Sequence, residues 1–225
     1  MALLEVCCGN LESVDAAVAG GARRIELCSA LELDGLTPPV EWIREVRERY
    51  PSLIVHVLVR SRAGDFVYTP EEVETMAAQV EEALEAGADG IVIGCLTAGG
   101  DVDVPAMEQL VRTVGRASIT FHRAFDACKR PCDALEQIIA LGCDRILTSG
   151  QGPTVVEGSD MLRELRKRAD GRIIILPGGG VTPQNAGRIL AMTGCTEIHA
   201  SASETRNGKK VTSAARVAAI LNSIA

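Results

Sequence analysis

Twice near its start the chain places a glutamate two residues before a cysteine: Glu5 and Cys7 in LLEVCCGN, then Glu26 and Cys28 in RRIELCSA. Both pairs sit in short apolar runs that read as strands, where side chains two apart share a face. A carboxylate and a thiol on one face offer a proton acceptor and a soft metal ligand. The three histidines obey the same alternation. In LIVHVLVR the apolar set is Leu53, Val55, Val57 and Val59, which leaves His56 and Arg60 on the other face. In ASITFH, Ile119 and Phe121 oppose Ser118, Thr120 and His122; in TEIHAS, Ile198 and Ala200 oppose Glu197, His199 and Ser201. Arg24 joins Glu26 and Cys28 by the same count.

The elements that must carry these residues alternate along the whole chain. Val/Ile/Leu-rich runs near 2–8, 23–28, 53–60, 89–95, 117–122, 144–149, 172–177 and 196–201 predict eight strands. Segments of helical period near 11–20, 38–49, 70–86, 103–114, 131–141, 158–170, 182–193 and 211–223 predict eight helices. Thr69-Pro70 and Thr182-Pro183 each predict a helix start, and Gly-containing hinges at 19–22, 86–89 and 141–144 predict helix ends closed by a left-handed glycine. Eight βα units in 225 residues predict a single (β/α)8 TIM barrel spanning 1–225. An open doubly wound sheet would need a glycine fingerprint after the first strand, and CCGNLES has none.

In a barrel the polar faces point into the lumen, which branched apolar side chains normally fill. Strands four, six and seven carry apolar residues on both parities and stay unoriented. Active sites of such barrels lie at the carboxyl ends of the strands. The candidate catalytic set is therefore Glu5, Glu26, His56, Arg60, Asp65 and His122, with Asp65 on the RSRAGDF loop over the mouth. Gly178, Gly179 and Gly180 in LPGGGVTPQN, together with Ser201, are the candidate phosphate-binding set, because glycine turns after strands seven and eight hold anions in this fold.

The net charge of −7 excludes a nucleic-acid groove or an anionic membrane as partner, and no apolar run is long enough to span a bilayer. No secretory leader is evident, so the expected location is the cytoplasm, where the eight cysteines stay reduced. Their spacing makes no zinc signature. The four lysines, Lys129, Lys167, Lys209 and Lys210, fall outside the predicted strands, which argues against a Schiff-base aldolase.

The strings LLEVCCGNLESVDAAVAGGARRIELC, DGLTPP, RSRAGDFVY, TFHRAFD, RILTSGQ, LPGGGVTPQN and EIHASA together resemble the CutC family of copper homeostasis proteins, in order and over nearly the whole chain. The resemblance implies a cytoplasmic (β/α)8 barrel, a homo-oligomer (dimer or tetramer), and Cu(I) held by two cysteines ending the first two strands, here Cys7 and Cys28. The chain is shorter than many relatives between SASETRNGKK and the last helix. Thiolate suits Cu(I), and two cysteines at equal height on strands about 4.8 Å apart would share one ion. Three readings remain open. The lumen is a copper site, the active site of an enzyme acting on a small anionic or phosphorylated sugar-like molecule, or a buried Glu–Arg network.

Overall fold

The computed structural model describes residues 2–206 and 209–225. Strands β1 (Leu3–Cys8), β2 (Arg24–Leu27), β3 (Ile54–Leu58), β4 (Gly90–Ile93), β5 (Ser118–Phe121), β6 (Arg145–Thr148), β7 (Ile174–Pro177) and β8 (Glu197–Ala200) follow the eight apolar runs. Helices α1 (Leu11–Ala19), α2 (Val40–Arg49), α3 (Pro70–Glu85), α4 (Val104–Val114), α5 (Pro131–Ala140), α6 (Ser159–Ala169), α7 (Ala186–Thr193) and α8 (Ala214–Ser223) separate and follow them. All neighbouring strands are parallel, in the order β7-β6-β5-β4-β3-β2-β1-β8, and β7 meets β8 where Gly178 bridges His199. The ring is thereby closed as a (β/α)8 barrel.

The core lies between sheet and helices. Val6, Ile25, Val55, Val57, Ile119, Phe121 and Ile198 all point to that layer, as their alternation predicts. The three strands the sequence left unoriented send Ile91, Ile93, Ile146 and Ile175 the same way. Their other apolar residues, Val92, Leu147 and Leu176, are buried outside that layer. Val92 joins Leu58, Cys7 and Cys28 in a separate small cluster in the lumen.

Local chemistry fixes where elements begin and end. Thr69 and Glu72 form a reciprocal capping box at the start of α3, with Pro70 in its first turn. Gly21, Gly87 and Gly142 take positive φ just beyond α1, α3 and α5, as expected of residues that end helices. Asp89 and Asp144 open the next strands. Their carboxylates accept the N–H of Val55 (2.8 Å) and of Ile119 (2.7 Å), each at the start of the adjacent strand.

Two expectations change. Thr182-Pro183 does not start α7. The Asn185 side chain accepts the Thr182 N–H (2.8 Å), and Thr182 O accepts from Asn185 and Ala186, so a closed turn occupies 182–185 and the helix begins at Ala186. After β8 the chain also forms an antiparallel pair, β9 (Ser203–Arg206) and β10 (Lys209–Thr212), before α8.

Inward glycines make room for imidazoles. A Cβ on Gly94 would lie 2.6 Å from His122 Nδ1 and 2.7 Å from its Cε1, and one on Gly90 would lie 2.7 Å from His56 Cδ2. Gly94→Ala should therefore lose about 1–3 kcal/mol by overpacking. In a His122→Ala background the same substitution should cost less than half as much. Urea unfolding of the four-variant cycle measures this; equal costs in both backgrounds would show that the imidazole is not what excludes a side chain.

Candidate functional site

The lumen is organised around Glu5, which has no exposed surface. Parallel pairing sets Glu5 beside Arg24 on β2 and beside His199 on β8. Arg24 Nε reaches Glu5 Oε2 at 2.7 Å, His56 Nδ1 lies 2.9 Å from the same oxygen, and His199 Nδ1 donates to Oε1 at 2.9 Å. Burial pushes the Glu5 carboxyl up, but the His199 and His56 hydrogen bonds and the Arg24 charge outweigh it and hold it well below the usual range. Toward the amino-terminal end of the barrel, Glu197 closes the network, bound by Arg24 (2.5 Å) and Arg145 (2.9 Å).

Toward the carboxyl ends of the strands lies a set with fewer internal partners. Cys7 Sγ is 3.7 Å from Glu26 Oε1 and 3.8 Å from Cys28 Sγ. The two cysteines are not at equal height: Cys7 is in register with Glu26, and Cys28 stands one inward step further along. The stagger of a closed barrel produces that offset, yet the sulfurs still touch. Ligand atoms of Cys7, Glu26 and His199 all lie within 4.8 Å of one another. With Nδ1 on Glu5, the other ring nitrogen of His199 is left for Cys7. Burial opposes charge on His199, but Glu26, Cys7 and Glu5 together hold its pKa well above the usual value. Cys28 and burial push the Cys7 thiol up, and burial beside Glu5 raises Glu26.

Cys7, Glu26, Arg60, His122, His199 and Ser201 line one cavity of about 510 Å3, with Phe66, Arg123, Leu147 and Lys210 among its other walls. His56 and Glu5 lie beneath it in the ion network, and Cys28 is buried behind Cys7. Asp65 is elsewhere. Its side chain is exposed, pairs with Arg62 at 2.9 Å and accepts the Val67 N–H, which shapes its own loop. Gly178, Gly179 and Gly180 do not line the cavity, and Gly178 gives its N–H to Thr148 O. The alternation placed His199 inward, but nothing in the sequence paired it with Glu5. Lys210 arrives on β10, whose polar sequence carries no strand signal.

Removing the Glu5 charge leaves Arg24 with Glu197 alone and takes the counter-charge from His56 and His199. Glu5→Gln should lose roughly 3–5 kcal/mol. Glu26→Gln should be nearly neutral, because Glu26 Oε2 has no hydrogen-bond partner and faces a like charge on Glu5. Urea unfolding at pH 7 decides; equal losses would make Glu26 part of the structural network.

His122 is pushed down to about 3 by burial and by the Arg60 charge. In the unfolded chain a histidine titrates near ~6.5. Between those values the unfolded state binds the extra proton, so stability falls as pH falls through that window. The stability difference between wild type and His122→Asn should shift by about 2 kcal/mol against wild type from pH 6 to 4.5, at ~1.4 kcal/mol per unit. A pH-independent difference would mean that His122 is protonated in the folded state.

Residues 2–204 match the CutC family. The chain is 51% identical to a CutC family protein of Bacteroides fragilis over 203 residues, covering 90% of this chain and 81% of that protein. It superposes on the crystal structure of a CutC from Streptococcus agalactiae, assigned to copper homeostasis, with TM-score 0.86 and 32% identity, over 89% of this chain and 99% of that one. A thiamine phosphate pyrophosphorylase from Pyrococcus furiosus shares the barrel alone, with TM-score 0.64 and 17% identity over 99% and 95% of the two chains. The sequence match over nine-tenths of the chain and the superposition agree with the motifs: the chain belongs to the CutC family.

Proposed function

We propose that this protein serves copper homeostasis by holding one Cu(I) between Cys7 and Cys28, in the cytoplasm and as a homo-oligomer. The observation that carries the reading is the pair of free, buried thiols 3.8 Å apart beside His199 and Glu26. Metal–sulfur bonds of about 2.3 Å span that gap without moving either strand. Thiolate and imidazole suit a soft monovalent ion, whereas Glu26 is a hard oxygen donor better suited to balancing charge. Glu5 orients His199 as a carboxylate commonly orients a metal-binding imidazole. Cys8 takes no part, since it packs among the helices.

A second reading is favoured by the polar atoms that Cu(I) leaves unused. Glu26 Oε2, Arg60 Nε and His122 Nε2 are buried without hydrogen-bond partners. Such a set in a lined cavity fits an enzyme for a small anionic molecule, with Glu26 and His122 as the groups nearest a substrate and Glu5 and His56 holding the lumen beneath. Asp65, Gly178, Gly179, Gly180 and Ser201 would then matter through the loops that frame the mouth.

Reduced protein should bind one Cu(I) per chain in competition with a chromophoric chelator. Cys7→Ser/Cys28→Ser should weaken binding by roughly 100-fold or more, since thiolate dominates affinity for a soft ion. Cys8→Ser should leave it unchanged. Retained affinity in the double variant, with an unaltered far-ultraviolet spectrum, would overturn the assignment.

A further inference from the structure

Arg60 is 3% exposed, and no carboxylate among the described residues lies within ion-pair distance of it. Its guanidinium is rigidly held: one Nη donates to Leu33 O (2.8 Å) and Gly35 O (2.9 Å), and the other to Gly64 O (2.8 Å). These carbonyls fix its position but carry no net charge. Arg24, the other buried arginine among the described residues, contrasts with it by facing two carboxylates. A buried, fixed and unneutralised cation on a cavity wall is costly unless a counter-ion arrives.

The neighbours of Arg60 extend the pattern. Phe66 lies between Arg60 and His122, at 5.1 Å from the guanidinium and 5.0 Å from the imidazole. His122 Nδ1 accepts the Ala124 N–H at 3.2 Å, so in the neutral ring the proton resides on Nε2. That donor is buried and unpartnered, and Arg60 Nε is a second such donor. Glu26, whose Oε2 is unpartnered, and Ser201 line the same cavity. Arg123, also on the wall, is already neutralised by Asp126 at 2.8 Å.

We propose that the cavity binds a short hydroxylated carboxylic acid, its carboxylate held at Arg60 and His122 over Phe66 and its hydroxyls turned toward Glu26 and Ser201. This rests on the second reading above, that the cavity takes a small anionic molecule, and is independent of copper. Arg60, which has no carboxylate partner among the described residues, and two idle N–H donors match a carboxylate, with one charge and two oxygens. A phosphate calls for more donors, and the glycine turn that would supply them in this fold engages Gly178 N–H within the sheet. A cavity of about 510 Å3 is of metabolite size.

The test uses the full chain, freed of copper, with three probes: D-glycerate, glycerol, which lacks the carboxylate, and inorganic phosphate. Imidazole 15N resonances are followed in the protein, whose three histidines make assignment simple, and ligand-proton relaxation is followed in the probe. Glycerate should shift the His122 resonances saturably, whereas glycerol should not. Phosphate should bind at least about tenfold more weakly than glycerate, the loss of one charge-assisted hydrogen bond. Arg60→Met should weaken glycerate by about tenfold or more. Because Arg60 also ties two loops, His122→Leu is measured by ligand relaxation as a second variant and should weaken glycerate similarly. Cys8→Ser, a thiol packed among the helices and away from the cavity, should bind glycerate as wild type does. Overturning results are no saturable response to glycerate, equal binding of glycerol, binding of phosphate alone, or glycerate affinity unchanged in both a folded Arg60→Met and His122→Leu. If phosphate alone binds, the small-anion reading survives and the carboxylate assignment falls; if no anion binds, both fall.

Discussion

A carboxylate with no exposed surface governs this barrel. Glu5 can remain charged there only because Arg24, His56 and His199 reach it from β2, β3 and β8. Those contacts draw three strands together around one ion and set the orientation of two of the three imidazoles in the chain. Arg24 in turn requires Glu197, and Glu197 draws in Arg145 from β6. One buried charge thus accounts for most of the polar residues in the lower lumen. What it does not account for lies above it, where Glu26, Arg60 and His122 keep buried atoms without partners.

The division between these layers resolves the apparent conflict between a structural network and a functional site. The two are stacked along the strands. The lower layer is ion-paired within itself, and the upper layer keeps the unpartnered atoms on which the proposed function rests. Cys7 stands at the join, touching Glu26, Cys28 and the imidazole that Glu5 holds. The two proposed sites would then share one cavity, lined by Cys7, His199, Phe66 and Arg60.

Much of this was legible in the residues, and the exceptions have physical causes. Alternation placed Glu5, Cys7, Glu26, Cys28, His56, His122 and His199 inward, because in their strands the polar residues share one parity opposite an unbroken apolar set. It failed for β4, β6 and β7, whose lumen positions are themselves apolar: Val92, Leu147 and Leu176. Pairing across strands was beyond reach, since the stagger arises when the ring closes. Hence the equal heights expected of Cys7 and Cys28 gave way to a one-step offset. Asp65 was drawn off by a local pairing with Arg62, three residues before it. The β9–β10 pair, reading SETR and KKVT, offers no apolar alternation from which to see it.

Asp89 and Asp144 bear on more than the strand ends they occupy. Each grips the second N–H of the strand beside it, Val55 of β3 in one case and Ile119 of β5 in the other. Sliding either strand by a single residue would break that grip and turn every side chain to the opposite face. His56 or His122 would then enter the greasy layer under the helices, and valine, isoleucine or phenylalanine would fill the lumen in its place. Two exposed-side carboxylates at the floor of the barrel therefore act as alignment pins for the candidate site at its opposite end.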